Sequence, residues 1–329
     1  IMDYQNSELV AFMLQSIKTY AKSKRAVFAK FDPSLFLRKG LIGQEVKNQE
    51  ATLAIIQSLK ECGAEWVGRT EDMGETIQPR FQANIYKEYF TEDQLSKSTK
   101  QAIRTARNKG VEVIFGGTEL LDEFAALMKK TEARKGIHLR GRDYYEKLLT
   151  TYAGQSYITL SRINLAQRLA SLKEQLEKNQ AEASRFNEKT KPGKIDNNRQ
   201  EKERLEEEIQ FLHQELKAGQ EIVSLSGTLT LEFGGTSENV YAGMDENFRR
   251  YQPAILTWYE TAQHAFDRGA TWQNMGGVEN QLDGGLYHFK SKFNPMIEEF
   301  VGEFNLPTSM LYPLVNKAYQ LRKKLRNKQ

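Results

Sequence analysis

Leu165-Ala166-Gln167-Arg168-Leu169-Ala170-Ser171-Leu172-Lys173-Glu174-Gln175-Leu176 and Leu205-Glu206-Glu207-Glu208-Ile209-Gln210-Phe211-Leu212-His213-Gln214-Glu215-Leu216 carry apolar residues at the same spacings of four, three and four. A helix returns to one face at that rhythm, so each stretch has a continuous apolar seam. Between them, Thr190-Lys191-Pro192-Gly193-Lys194 ends one helix and permits a turn, because proline cannot continue the hydrogen-bond ladder and glycine relaxes the backbone. The two seams predict an antiparallel coiled-coil hairpin over residues 161–221, with arms about 30 Å long at about 1.5 Å per residue. Such an arm is suited to touching something large.

Working outward, the flanking sequence reads as an α/β body. Helices are expected over 7–23, 50–62, 91–109, 120–134, 143–152 and 254–268. The helix at 91–109 would be capped by Thr91 and stopped by Gly110. Strands are expected over 26–31, 83–90, 111–115, 155–164, 221–233, 239–244, 271–275 and 296–304. The hairpin then interrupts a sheet between adjacent strands.

The 329 residues carry 39% hydrophobic side chains and a net charge of +4, enough apolar content for ordinary cores and too little charge to argue for nucleic acid by itself. The single cysteine, Cys62, excludes an internal disulfide framework. The sequence has no apolar run long enough to span a membrane and no signal-peptide pattern, so a cytoplasmic location is expected. Ile1-Met2-Asp3-Tyr4 reads like the middle of a domain, and an upstream segment is expected.

The charge is unevenly placed. Lys97, Lys100, Arg104 and Arg107 recur at helical spacing and form either a solvated face or a phosphate-tracking ridge. Lys317, Arg322, Lys323, Lys324, Arg326 and Lys328 have no acid among them, and Leu314, Ala318, Leu321 and Leu325 line the other side of the same helix. Such a segment suits anionic lipid, nucleic acid or a solubilising tail.

Three stretches are rich in chemistry-bearing residues. Lys30-Phe31-Asp32-Pro33 ends a strand, where α/β folds meet ligands; an ordinary turn is the plain alternative. Arg140-Gly141-Arg142-Asp143-Tyr144-Tyr145 places an arginine and a tyrosine four apart at a helix start, a clamp for phosphate or carboxylate. Asp283-Gly284-Gly285-Leu286-Tyr287-His288-Phe289-Lys290-Ser291-Lys292-Phe293-Asn294-Pro295 sets Lys290 among aromatic residues, either to stabilise an oxyanion or merely to pass its charge out to water. His138, His213, His264 and His288 show no ligand spacing, and neither a metal nor a cofactor is expected. Arg107-Asn108-Lys109-Gly110 is similar to the phosphate-gripping turn of acetyl-transfer enzymes, although Glu112 stands where a small residue belongs.

Taken together, these motifs resemble the Fem aminoacyltransferases (FemABX), with most likeness to the MurM and MurN type of branching enzyme. Leu286-Tyr287-His288-Phe289-Lys290-Ser291-Lys292-Phe293-Asn294, Glu299-Phe300-Val301-Gly302-Glu303-Phe304, Val240-Tyr241-Ala242-Gly243, Asn247-Phe248-Arg249-Arg250-Tyr251 and Phe31-Asp32-Pro33 carry the resemblance. Arg140 with Tyr144 fits the family's arginine-plus-aromatic pair, and the leucine hairpin sits where FemA-type members carry a seryl-tRNA-synthetase-like arm. Val27 stands where FemX-type members have a tyrosine, five residues before Asp32.

The resemblance implies two acetyltransferase-like (GNAT) α/β units side by side. Residues 1–78 would form part of the first, and 79–160 with 222–305 the second. Residues 161–221 would be the inserted arm, and the helix at 306–329 would return to the first unit. The implied reaction moves an amino acid from aminoacyl-tRNA to a stem-peptide amine of a lipid-linked or UDP-linked muropeptide precursor. Alanine or serine is the expected donor, with glycine as a further option. The work would take place at the inner face of the membrane, with peripheral contact to it. Lys290, after Phe289, would stabilise the oxyanion, and Asp32 would meet the stem peptide or orient the amine. Arg140 and Tyr144 would hold diphosphate or sugar, with Tyr241 as pocket wall. Two other readings fit the sequence: a non-catalytic tRNA- or partner-binding module using the hairpin and the basic ridge, and a coenzyme A-dependent N-acetyltransferase.

Overall fold

The computed structural model describes residues 3–44, 48–219 and 221–326, with side chains described as far as Arg322. In chain order its elements are α1 (Ser7–Ser23), β1 (Phe28–Phe31), β2 (Phe36–Leu41), α2 (Glu50–Glu61), β3 (Glu65–Trp66) and β4 (Phe81–Tyr86). Then come α3 (Lys97–Asn108), β5 (Val111–Gly116), α4 (Leu121–Lys135), α5 (Arg142–Thr151), β6 (Ser156–Asn164), α6 (Leu165–Ala183) and α7 (Pro192–Lys217). The rest are β7 (Ile222–Phe233), β8 (Thr236–Met244), α8 (Pro253–Asp267), β9 (Trp272–Val278), α9 (Gly285–Lys290), β10 (Met296–Phe300), β11 (Phe304–Pro307) and α10 (Tyr312–Arg326). The architecture is mixed α/β. Its contacts divide the chain into two units, one of residues 1–96 with 271–329 and one of residues 97–270.

In the first unit, β11 lies between β1 and β3, and β10 lies between β2 and β4, with β9 beyond β4. Each of these pairings is antiparallel. Val10 and Leu14 of α1, Ile56 and Leu59 of α2, and Phe304 and Leu306 of β11 share one core. Asn6 caps α1 by accepting from the Leu9 amide, which satisfies a donor that the first turn cannot pair internally.

The second unit is an antiparallel ladder β5-β6-β7-β8. Alternate residues of its strands face opposite sides. Ile158, Leu160 and Leu229 pack with Leu121, Phe124 and Met128 of α4. On the other face Thr228 meets Thr261 of α8, and Tyr157 meets His264. Helices α6 and α7 leave this ladder between β6 and β7 and run antiparallel. Leu165, Leu172, Leu205 and Leu212 are at most 1% exposed, so the two ladders pack as apolar seams. Further out, the Asn179 and Asn198 side chains each donate to the other's backbone carbonyl at 3.0 Å.

Several expectations change. Thr91 caps a short 3-10 turn at Glu92–Gln94 rather than a long helix, with Gln94 completing a capping box, and α3 begins only at Lys97. The single strand expected over 296–304 is two strands in different sheets, broken where Gly302 takes a positive φ of 79°. The structure adds strand β2 and helix α9 to the expected elements. Residues 79–96 and 271–305 group with the first stretch of chain, not with 97–270. The reason is β10, which is laddered to β2 on one side and β4 on the other and so ties the three segments into one sheet.

Candidate active site

Within the second unit, Arg140, Tyr144 and Tyr241 come together. Gly141 takes the extended N-cap position of α5, which brings Arg140 back across the first helical turn. Its guanidinium lies 5.2 Å from the Tyr144 ring centre, within cation–π range. Tyr144 meets Tyr241 edge-on at 6.2 Å, and Tyr145 meets Tyr241 at 5.0 Å. Sequence reasoning gave Tyr145 no role; it is 1% exposed and packs edge-on against Phe124, so it forms the floor under the pair. Burial, and then the neighbouring Tyr144, push the Tyr241 phenol up, which keeps it a neutral donor at physiological pH. The cluster offers one cation and two phenols, a set that suits phosphate or sugar oxygens.

The basic ridge on α3 is shorter than expected. Lys97 and Arg104 are exposed and Lys100 is half-buried, while Thr99, Ile103 and Ala106 pack inward. Arg107 is drawn off the ridge by Glu260, 2.7 Å away, and by the Tyr259 ring at 5.7 Å. Lys109, in the turn that resembles a coenzyme A grip, points instead to Glu208 at 3.5 Å. Both cations of that turn are therefore paired with carboxylates of the chain itself, Arg107 at the surface and Lys109 half-buried. Of the basic C-terminal residues, Lys317 and Arg322 are exposed on α10; the side chains of Lys323, Lys324, Leu325 and Arg326, and all of Lys328, lie outside the described residues.

Within the first unit, Asp32 follows β1 beside a buried pair. Lys30 forms an ion pair with Glu303, which is 2% exposed and also accepts from the Ile77 amide at 2.9 Å. Burial and then the Glu303 charge raise the Asp32 carboxyl to about 6, with Lys30 opposing them. Folding thus favours the protonated acid. That contribution is complete below the unfolded value, near 3.8, and is lost as pH rises through about 6. Asp32→Asn is accordingly expected to be more stable than the parent at pH 8, by about 1 kcal/mol after solvent screening, or roughly 2–4 °C in Tm. Thermal unfolding from pH 4 to 8 checks this, and the two proteins should converge at the acid end.

Lys290 ends the six-residue helix α9. The helix start is held by Glu279, whose two carboxylate oxygens accept from the Leu286 and Tyr287 amides at 2.9 Å each. Burial pushes the Glu279 carboxyl up, but these bonds and the Lys290 charge outweigh it and hold the group low. Lys290 is 5% exposed and its Nζ donates to the Gly277 carbonyl at 2.7 Å. Gly276, beside it, takes a φ of 79°, a conformation that a side chain would strain. Phe289 packs edge-on against Phe293 at 5.6 Å. A cation this deeply set, with its carboxylate neighbour serving as a helix cap, is held in one position by the fold itself.

The β2-β10-β4 ladder also carries charges that sequence reasoning missed. Glu298 stands opposite Lys39, and Glu299 opposite Arg38. Glu299, 1% exposed, takes hydrogen bonds from both Arg38 and Arg80. Beside this group is a cleft of about 350 Å³ lined by Arg38, Phe81, Leu282, Tyr287 and Ile297.

Known proteins share this organisation. The FemAB family model matches residues 1–323. A lipid II:glycine glycyltransferase of Staphylococcus aureus (strain USA300) is 27% identical over 345 residues, covering 98% of this chain and 77% of its own. A second S. aureus protein of the same name is 27% identical over 343 residues, with 97% and 78% covered. Among solved structures, the crystal structure of FemX aligns at a TM-score of 0.69 and 25% identity, covering 98% of this chain and 81% of its own. The protein is thus an α/β enzyme of the aminoacyltransferase class. More narrowly, it belongs to the FemAB family, and the resemblance carried by Lys290 and its flanking motifs extends along nearly the whole chain.

Proposed function

We propose that this protein transfers a small amino acid from aminoacyl-tRNA to the stem-peptide amine of a lipid-linked peptidoglycan precursor, building the interpeptide bridge. The observation that carries this reading is the similarity to lipid II:glycine glycyltransferases along 98% of the chain. Glycine therefore stands beside alanine and serine as donor.

An aminoacyl ester is already activated, so a neutral amine can attack it directly. What the enzyme must supply is orientation of two large substrates and stabilisation of the tetrahedral oxyanion. In this reading Lys290 supplies the positive charge, with Phe289 shaping its wall. Asp32 orients the amine or the stem peptide. Arg140, Tyr144 and Tyr241 hold the precursor's diphosphate or sugar. The two units are acetyltransferase-like, and α6–α7 is a coiled-coil arm. RNA phosphates are met by Lys97, Lys100 and Arg104, and by the α6–α7 turn, where Arg185, Lys189 and Lys191 are exposed. The reaction takes place on the cytoplasmic face of the membrane.

The test is transfer of radiolabel from alanyl-, seryl- and glycyl-tRNA to lipid-linked and UDP-linked precursors by the purified protein. Label in the lipid-linked product, with one donor preferred, is the expected result. Binding of tRNA without transfer to any acceptor would reduce the protein to a binding module.

A further inference from the structure

We propose that α10 is an interfacial helix that docks on an anionic membrane surface, building on the reading of a lipid-linked acceptor. One side of the helix is fixed to its own unit. The Tyr312 and Tyr319 rings pack edge-on against Phe28 of β1 at 5.5 and 6.1 Å, and the Tyr312 hydroxyl donates to Glu65 at 2.7 Å. Ala29 and Phe31 of β1, alternating with Phe28, face the core built by α1 and α2. So α10 lies on the opposite face of that sheet from α1 and α2.

At about 100° per residue, Tyr312, Asn316 and Tyr319 share the inner side, and Leu311, Leu314, Ala318 and Leu321 share the outer one. The three leucines are 60%, 70% and 63% exposed, and Met310, just before the helix, is 99% exposed. Lys317 and Arg322 fall on the two flanks of this stripe. The sequence from Tyr312 to Lys328 contains no acidic residue. A row of leucines in water is not explained by solubility. RNA would engage the cations and leave the leucines exposed. A second copy would bury the leucines but bring like charges together. An anionic bilayer satisfies both, with the leucines entering the acyl boundary and the cations meeting lipid phosphates.

Co-sedimentation with vesicles of phosphatidylglycerol and phosphatidylcholine, and with phosphatidylcholine alone, tests the proposal. The whole protein is expected to bind the anionic vesicles, and binding should weaken at high salt. Leu314→Glu combined with Leu321→Glu should lower the partition coefficient at least tenfold. Both positions are exposed, so the thermal unfolding of the variant should match the parent. Absence of binding by the parent, or equal binding by the variant, overturns the proposal. So does a parent that is dimeric and a variant that is monomeric in light scattering, since the stripe would then pair copies. Transfer to a UDP-linked soluble precursor is read in parallel. Transfer without vesicle binding sinks only the docking helix, whereas vesicle binding without transfer to any acceptor sinks the catalytic reading and leaves the helix standing.

Discussion

Lys290→Met is expected to lower kcat for transfer by about 10²–10³, the usual effect of removing one oxyanion donor, with a much smaller change in KM for either substrate. Methionine keeps most of the length and apolar character of the lysine stem. What disappears is a positive charge fixed against β9. The ammonium also donates to the Gly277 carbonyl. The variant leaves that acceptor without its lysine donor, at a stability cost of about 1–3 kcal/mol. The two effects are read separately, by single-turnover transfer from pre-charged tRNA and by urea unfolding. A folded variant with unchanged turnover would show that Lys290 only ties α9 to β9. A loss of rate that tracks loss of folded protein would mean the same. Lys290→Arg should restore the charge without the activity, because a guanidinium does not fit a site in which the parent side chain is 5% exposed.

The parts of this protein that could be read from sequence are those in which the signal is local. The leucine seams of α6 and α7 repeat within single helices, and α1 was placed at the residues it occupies because its apolar face recurs at helical spacing. Arg140 and Tyr144 lie one turn apart on either side of a helix start, so their meeting is also local. The charged ladder of the first unit could not be read in that way. Arg38 and Lys39 meet Glu299 and Glu298 only because β2 and β10, distant in sequence, pair in one register. Arg107 looked like part of a free basic ridge because Glu260 lies far along the chain. The break at Gly302 was hidden for a different reason. Residues 296–304 contain no proline and enough apolar residues to read as one strand, and only the demand that Phe304 enter a second sheet reveals the turn.

Glu208→Ala is expected to destabilise the second unit by about 3–5 kcal/mol, the cost of leaving buried charge unpaired. The carboxylate is 2% exposed and accepts from Arg168 Nε and Nη2 at 3.0 and 2.8 Å. Arg204 Nη1 reaches it at 3.2 Å and Lys109 Nζ at 3.5 Å. Arg168 belongs to α6, Arg204 to α7, and Lys109 to the end of α3. One buried acid therefore ties the root of the helical pair to the α3 segment. Without Glu208, Arg168 stays buried at 6% exposure with its carboxylate partner gone, and the local opening of α6 and α7 should become visible in hydrogen exchange at their β-sheet ends. Burial alone would raise the Glu208 carboxyl, but Arg168 and Lys109 hold it below the ordinary glutamate range. A lowered carboxyl stabilises the fold above its unfolded value and loses that contribution as pH falls through the folded one. The gap between parent and Glu208→Gln in urea should therefore narrow in acid. Replacing both partners, Arg168→Met with Glu208→Leu, should recover most of the stability, since an apolar pair of similar volume carries no desolvation cost. If that double variant is stable yet binds tRNA more weakly than the parent, the ion cluster sets the stance of the arm. If binding is unchanged, the leucine seam is sufficient to aim it.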